Sequence, residues 1–178
     1  SPKVLLLQAR RPEDPMAAHE VQAFQAQCTL DRNDFHVWNL IEAPPSLPHC
    51  QNYDAIIIGG SGDFYVSKRD QPHFVPFLDV LADLVAKSLP IFGVCYGYQS
   101  LAEVLEGKVD HVPHQAEVGT YSLDLTPAGL ADPLLGQMPN RFKVQQGHKD
   151  QVTIHPNSGV NLALSQRCPN QAFRVESK

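Results

Sequence analysis

The chain has 178 residues, which is enough for one domain with a hydrophobic core. Hydrophobic residues make up 43% of it and charged residues 19%, and the formal net charge is −5. This acidic balance argues against a nucleic-acid or anionic-membrane surface, and no apolar run has the length that crossing a bilayer requires. The composition is that of an ordinary globular protein.

The first part of the chain alternates segments typical of strands with segments typical of helices. Short apolar runs predict four strands, at Lys3–Ala9, Phe35–Ala43, Tyr53–Phe64 and Pro90–Cys95. Three helices are predicted at Pro15–Cys28, His73–Ser88 and Tyr98–Gly107. Because strands and helices alternate, we expect an α/β fold with a parallel-centred open sheet and helices on both faces.

From Glu117 onward the pattern changes to shorter strands separated by polar turns. These strands are predicted at Glu117–Thr126, Arg141–Gly147, Asp150–His155 and Val160–Ser165. We expect them to form a mixed or antiparallel extension at one edge of the sheet. No repeat or linker interrupts the chain, so residues 1–178 are predicted to form a single domain.

The four cysteines give no sign of a metal site or of disulfides. Cys28, Cys50, Cys95 and Cys168 contain no Cys-x-x-Cys pair, so a structural zinc site is not predicted. Free thiols in a reducing compartment are the default in a chain of this kind, and a cytoplasmic location is expected.

Cys95 occupies a special place in the segment "PIFGVCYGYQSLAEVLEG". It lies where a strand meets a helix, with Gly93 and Gly97 two residues away on either side. This spacing matches the elbow that presents a nucleophile at the carboxyl edge of a sheet. A helix N-terminus also favours the thiolate and lowers its pKa. The alternative is a small buried hydrophobe, which is the reading that we keep for the other three cysteines.

The segment "IIIGGSGDF" predicts a second part of the same site. Its strand should end at the same sheet edge, where glycines let backbone N–H groups face a ligand. Together with the N–H of Tyr96, such donors would form an oxyanion hole for acyl transfer. The alternatives are a flexible turn or a phosphate loop, but the Gly-Lys-Ser/Thr ending of a phosphate loop is missing.

At this point the sequence resembles the class I (triad) glutamine amidotransferases, most closely the amidotransferase domain of GMP synthases and stand-alone proteins of that type. "GVCYGYQSLA" is similar to the family's Gly-x-Cys-x-Gly-x-Gln motif, and "IIIGGSGDF" resembles its oxyanion loop, although Ser61 stands where proline is frequent. "AEVGTYSLDLT" resembles a Glu-x-Gly segment, and "VQQGHKD" a substrate loop.

This resemblance implies a flavodoxin-like sheet and a glutaminase chemistry. Glutamine would be hydrolysed through a cysteine thioester, and the ammonia would pass to a synthetase subunit or domain. No cofactor and no metal are implied. The roles carried over are nucleophile for Cys95, oxyanion donors for Gly60 and Tyr96, and substrate binding for Gln99, Gly62, Gly147 and His148.

The family's catalytic base belongs to a late His-Pro-Glu motif, which the 178 residues do not contain. His155 is followed by proline, but Asn157 stands where the glutamate is expected, and the position is too early. We expect a fragment that lacks its C-terminal segment, with residues 172–178 leading into a further strand. His148 is the alternative base. The chain as given is predicted to have little or no glutaminase turnover.

Two other functions remain open at this stage. One is a γ-glutamyl or peptide thiol hydrolase on the same scaffold, and the other is a non-catalytic, amidotransferase-like binding domain. Gln99 and the Glu-x-Gly segment favour the glutaminase over the other hydrolases.

Overall fold

The structure is a computed structural model that describes residues Pro2 to Val175. Contacts between residues divide the chain into two compact units, Ser1–Val104 and Leu105–Lys178. A single domain over residues 1–178 stays a prediction.

The first unit alternates strands and helices, as the sequence predicts. Its elements are β1 (Val4–Gln8), α1 (Pro15–Gln27), β2 (Phe35–Asn39), α2 (Leu47–Cys50), β3 (Ala55–Ile58), α3 (Phe74–Ala86), β4 (Ile91–Gly93) and α4 (Tyr96–Val104). The strands form one sheet in the order β2-β1-β3-β4, and every pair of neighbours is parallel. The α/β class and the parallel sheet are confirmed.

The core of the first unit is built on β1, all five residues of which are buried. Val4 and Leu6 face one side of the sheet, where they pack with Phe35 and Ile57, and Val21 and Phe24 of α1 cover them. Leu5 and Leu7 face the opposite side, because successive side chains of a strand alternate. This burial on both faces explains the continuous apolar run in the sequence.

Several boundaries differ from those predicted. Helix α4 begins at Tyr96 instead of Tyr98, so it follows Cys95 immediately. Strand β2 ends at Asn39, because the Asn39 side chain accepts the N–H of Ile41 and turns the chain there. Helix α2 was not predicted; its single turn follows a Ser46 cap, whose side chain accepts the N–H of His49.

The second unit consists mainly of strands. Its elements are β5 (Lys108–His111), β6 (Glu117–Leu125), α5 (Pro127–Leu130), β7 (Arg141–His148), β8 (Asp150–Ile154), β9 (Gly159–Leu164) and β10 (Ala172–Val175), with 3₁₀ turns at Pro113–Gln115 and Leu135–Gln137. One antiparallel sheet has the order β10-β9-β6-β7, and β5 pairs antiparallel with β8. The late antiparallel strands are confirmed, and the structure places them in sheets of their own.

Asp132 stabilises the turn between α5 and β7. Its carboxylate is buried, accepts the N–H groups of Leu134 and Leu135 at 2.9 Å, and forms an ion pair with Arg174 Nε at 2.8 Å. Burial alone would raise the pKa of Asp132, but these N–H groups and the guanidinium outweigh it and hold the pKa below 3.8. One carboxylate therefore connects strand β10 to the α5 turn.

Replacing Asp132 with asparagine should lower the free energy of unfolding at pH 7 by about 1–3 kcal/mol, because Arg174 loses a buried charged partner. Since the folded-state pKa is depressed, this stabilisation is complete well above pH 3.8 and is lost as the pH falls through the folded-state pKa. Denaturant titrations at pH 7 and pH 3 should therefore show the wild-type and D132N curves converging in acid.

The matched control is Asp124→Asn. Asp124 pairs with Arg141 at 3.5 Å, but its side chain is 43% exposed, so at most about 1 kcal/mol is expected. Equal effects of D132N and D124N at pH 7 would contradict the role given to Asp132.

Candidate active site

Cys95 lies on the turn between the last strand of the parallel sheet and helix α4. β4 ends at Gly93 and α4 begins at Tyr96, so Val94 and Cys95 form the turn. The Val94 N–H donates to the Ile58 carbonyl at 2.9 Å and continues the pairing of β3 with β4. Cys95 then has a φ of +51°, a left-handed conformation that costs a non-glycine residue about 1–3 kcal/mol. A partly exposed thiol therefore stands at the carboxyl edge of the sheet.

The two glycines of the predicted elbow are required by close packing of the backbone. A Cβ on Gly97 would lie 2.3 Å from the carbonyl oxygen of Ile58, and one on Gly93 would lie 2.6 Å from the carbonyl carbon of Gly97. The Gly97 N–H donates to the carbonyls of Val94 and Gly59 at 3.0 and 3.1 Å. The first turn of α4 is therefore bound directly to the end of β3.

The glycine loop after β3 reaches the neighbourhood of Cys95. A Cβ built on Gly60 would lie 3.8 Å from the Cβ of Cys95, and one on Gly62 would lie 3.5 Å from Nη1 of Arg10. The Gly60 N–H donates to Oε1 of Glu20 at 2.9 Å. Gly60 and Cys95 are therefore neighbours, and the Gly60 N–H, which the family resemblance assigns to an oxyanion, has a carboxylate acceptor in this structure.

Glu20 belongs to a buried polar network that the sequence analysis missed. Within α1, all of whose residues the structure describes, Glu20 alone is buried. Its Oε2 accepts from Gln8 Nε2 at 3.0 Å and lies 3.4 Å from Nε of Arg10. Arg10 also pairs with Asp14 at 3.0 Å, and Gln8 donates to the Ala17 carbonyl. The Met16 N–H, with Arg10, holds the pKa of Asp14 below its ordinary value.

Tyr96 is fixed by hydrogen bonds at both ends of the residue. Its ring is 1% exposed, and its hydroxyl donates to Gln71 Oε1 at 3.0 Å, while Gln71 Nε2 donates to the Leu40 carbonyl at 2.8 Å. Burial raises the pKa of the Tyr96 hydroxyl, and the Asp70 carboxylate raises it further. The Tyr96 carbonyl accepts from Ser100 Oγ at 2.8 Å. Because Tyr96 is the first residue of α4, its own N–H has no acceptor within the helix.

Gln99 lies in the same turn of helix as the elbow. It is buried, and its N–H donates to the Cys95 carbonyl at 2.9 Å. The first unit thus brings together Cys95, Gly60, Tyr96 and Gln99, with Gly62 near Arg10 on the adjoining loop.

In the second unit, Gly147 and His148 lie at the end of strand β7 and not in a free loop. Gly147 is exposed, and a Cβ there would meet no atom within 4 Å. His148 Nε2 lies 3.1 Å from Oε2 of Glu117, and its Nδ1 lies 3.0 Å from the Asp150 carbonyl. Both ring nitrogens therefore face acceptors, and the imidazole is fixed in orientation.

Glu117 is fully buried and holds this part of the second unit together. Besides His148, it accepts from Ser165 Oγ at 2.6 Å and from Gln171 Nε2. The sequence analysis identified the Glu-x-Gly segment but assigned no partner to the glutamate. The partners lie 31 to 54 residues away in sequence, so no local pattern indicates them.

The family of the chain follows from its match to a known family model. Residues 15–177 match the family model for glutamine amidotransferase class-I. The chain belongs to the class I glutamine amidotransferase family.

Curated relatives of this class I amidotransferase chain include GMP synthases (glutamine-hydrolyzing). The chain is 31% identical to that of Aeropyrum pernix over 120 residues, which are 67% of this chain and 21% of the relative. It is 32% identical to that of Petrotoga mobilis over 127 residues, which are 71% of this chain and 23% of the relative. A glutamine amidotransferase-like protein of Salmonella typhimurium, YfeJ, is 28% identical over 145 residues, or 79% and 60%. The chain therefore spans about a fifth of the length of these GMP synthases.

Solved structures agree on the fold of the class I amidotransferase chain. A glutamine amidotransferase from Methylobacillus flagellatus matches with a TM-score of 0.76 and 24% identity, over 98% of this chain and 66% of that one. Another from Thermotoga maritima matches with a TM-score of 0.78 and 19% identity, over 98% and 72%.

His155, the histidine that precedes a proline, lies just after strand β8 of the class I amidotransferase chain. Its Nδ1 lies 2.8 Å from the Pro156 carbonyl, and its ring packs edge-on against Phe173 with 5.6 Å between centroids. These contacts give it a packing role in the second unit.

Between Pro2 and Val175, no group of three or more His, Cys, Asp or Glu side chains could hold a metal ion. Within the same range no helix is long and apolar enough to span a membrane.

The cysteines of this class I amidotransferase chain should differ sharply in reactivity. Burial raises the pKa of Cys50 and Cys168 to about 11, so almost no thiolate forms at pH 8. Cys28 is exposed and Cys95 is partly exposed. Iodoacetamide at pH 8 should therefore modify Cys28 and Cys95 and leave the other two intact, as peptide mass mapping would measure.

A Cys28→Ser variant provides the control, because Cys95 should then be the one thiol that reacts in the folded protein. Modification of Cys50 or Cys168 as fast as Cys95 would contradict the burial that the structure assigns to them.

Proposed function

We propose that the chain is a glutaminase domain in which Cys95 attacks the side-chain amide carbon of glutamine. A C–S bond forms, the C–N bond breaks, and the departing nitrogen takes up a proton and leaves as ammonia. Water then attacks the glutamyl thioester, breaks the C–S bond and releases glutamate with the thiol restored. Membership of the class I amidotransferase family supports this reaction class.

The observation that carries the proposal is the conformation of Cys95. The turn forces a φ of +51°, where a glycine would be unstrained, yet a thiol is present and is partly exposed. Strain of this kind at a sheet edge is typical of catalytic residues. The neighbouring glycine loop supplies the backbone that acyl transfer needs beside a nucleophile.

We assign the stabilisation of the oxyanion to the backbone N–H groups of Tyr96 and Gly60. The position of Tyr96 at the start of α4 supports the first donor, because that N–H also lies at the positive end of the helix dipole. The closeness of Gly60 to Cys95 supports the second. Gln99 and Gly62 are proposed to bind glutamine, and Gly147 and His148 stay proposals that rest on the family resemblance alone.

The proton of the thiol requires a base, and none of the 178 residues is assigned to that role. His155 has Asn157 where a partner carboxylate is expected. His148 contacts acceptors through both nitrogens, so neither nitrogen is placed to take the thiol proton.

We further propose that the ammonia is used by a synthetase subunit or domain. Support comes from the relatives that are named GMP synthases, each of which is about five times as long as the matched region. The four free cysteines support the expected reducing, cytoplasmic compartment.

A glutamine-derived electrophile should modify Cys95 selectively. In a Cys28→Ser background, a chloroketone analogue of glutamine should react at least about tenfold faster than a peptide chloroketone of the same intrinsic reactivity, because bound glutamine positions the reacting carbon. The rate of adduct formation is measured by intact-protein mass spectrometry, with free glutamine as competitor. A faster reaction with the peptide reagent would instead favour a peptide thiol hydrolase.

Turnover of glutamine by the 178-residue chain should be little or none, because no base is assigned. Ammonia release measured by a coupled dehydrogenase assay should stay far below the rate of about 1 per second that is ordinary for enzymes. Cys95→Ala is the control for background hydrolysis. Release at an enzymatic rate that C95A abolishes would show that the chain itself contains the base.

A further inference from the structure

The contact between Glu20 and Gly60 bears directly on the proposed oxyanion hole. An N–H group carries one hydrogen, and the 2.9 Å bond from Gly60 to Oε1 of Glu20 uses it. The acceptor is a buried carboxylate, so this is one of the stronger classes of hydrogen bond. The same loop residue lies within side-chain distance of Cys95.

We propose that Glu20 is a positioning residue that holds the Gly60 N–H away from the oxyanion that forms when Cys95 attacks. This inference rests on the proposed function. In this conformation the oxyanion hole has one donor, the N–H of Tyr96, and it gains the second when Gly60 leaves Glu20.

The surroundings of Glu20 show why this contact is built into the fold. Its second oxygen accepts from Gln8 and lies beside the guanidinium of Arg10, so the carboxylate is held from two sides. A Cβ on Gly59 would lie 2.5 Å from Oε1 of Glu20, so the carboxylate is packed against the loop. A glutamate in the one buried position of α1 has no role in apolar packing.

The substitution Glu20→Gln tests the two oxygens of the carboxylate separately, because it leaves an oxygen on only one side. The side-chain amide has the same shape but one oxygen, while Gly60 donates to one side and Gln8 and Arg10 face the other. The positive charge of Arg10 and the second donor favour the oxygen on their side. The NH₂ group then faces the Gly60 N–H, cannot accept from it, and releases the loop.

Two reactions of Cys95 distinguish an effect on the oxyanion hole from a general effect on the thiol. An aldehyde analogue of glutamine adds to the thiolate: a C–S bond forms, the carbonyl electron pair moves to oxygen, and the oxyanion then takes a proton. Iodoacetamide alkylates the thiolate with loss of iodide and builds no charge on oxygen. The ratio of the two rate constants therefore reports the oxyanion donors.

The experiment compares Glu20→Gln with the parent protein, both carrying Cys28→Ser. The ratio of the aldehyde rate constant to the iodoacetamide rate constant should rise at least about tenfold, because one oxyanion donor contributes roughly 100- to 1000-fold in enzymes. In the same pair of proteins, the Gly60 amide proton should move upfield in the ¹H–¹⁵N spectrum as it loses the carboxylate. Glu13→Gln, an exposed position just before α1, is the matched control and should change neither quantity.

Several outcomes would overturn the inference. An unchanged or lower ratio in E20Q would show that Glu20 does not withhold the donor, and an unshifted Gly60 amide would show that the bond is absent. If E20Q does not fold, Glu20→Asp, which draws the carboxylate back by one methylene, must give the same shift and the same rise. A through-hydrogen-bond coupling between Gly60 nitrogen and the Glu20 carboxylate carbon in the parent protein supports the inference, and its absence overturns it.

Failure of the proposed function gives a different result. If iodoacetamide modifies Cys95 but the aldehyde analogue does not bind in any variant, glutamine is not the substrate, and the Gly60 amide shift alone then decides whether Glu20 holds the loop.

Discussion

The packing of Gly97 against the carbonyl of Ile58 is the constraint on which the elbow depends. A methyl group in place of the Gly97 hydrogen would overlap that oxygen, and α4 would have to move away from β3. The same carbonyl accepts the Val94 N–H, and the next one along accepts the Gly97 N–H. The end of β3 thus determines where the turn begins and where the helix starts. Cys95 lies between Val94, which is bound to Ile58, and Tyr96, which begins α4. The chain joins these two fixed positions with Cys95 in a left-handed conformation.

Three buried carboxylates fix loops within the two units, Glu20 in the first unit and Asp132 and Glu117 in the second. Glu20 holds the glycine loop, Asp132 holds the α5 turn, and Glu117 holds the end of β7. Each accepts from several donors, because a buried charge without partners would cost several kcal/mol. A carboxylate binds N–H groups that come from different segments, which an apolar side chain cannot do. Polar groups therefore determine the positions of the loops, while apolar side chains form the sheet core.

The sequence predicts the features whose cause is local. Alternating apolar runs predict the parallel sheet, because strands covered on both faces must be apolar throughout. The glycines on either side of Cys95 predict the elbow because their spacing in sequence is that of a known motif. The contact of Gly93 with Gly97 is local, whereas the contact of Gly97 with Ile58 is seen only in the structure. Strand β5 escapes prediction because it is short and partly exposed, so it has no continuous apolar run. For residues 172–178 the sequence predicts only the approach to a further strand; the structure has strand β10 at Ala172–Val175, and residues 176–178 lie outside the described range.

The network around Glu20 could not be read from the sequence for a different reason. Gly60 and Glu20 are 40 residues apart, and the segment "AAHEVQAF" looks like an ordinary helix with a solvated glutamate. Only the structure shows that this glutamate is buried by the helix. The sequence analysis assigned the Gly60 N–H to an oxyanion from the family motif, and a motif does not state what a backbone group contacts before substrate arrives.

The elbow glycines and the elbow cysteine do not have equal value as signs of catalysis. Gly93 and Gly97 are needed for packing whether or not any reaction occurs, so a binding domain with this fold would keep them. Position 95 is different, because glycine or asparagine would adopt a φ of +51° with less strain than cysteine does. The proposed nucleophilic role of Cys95 therefore rests on its strained conformation, its partial exposure and the neighbouring glycine loop, and not on the packing of the elbow glycines.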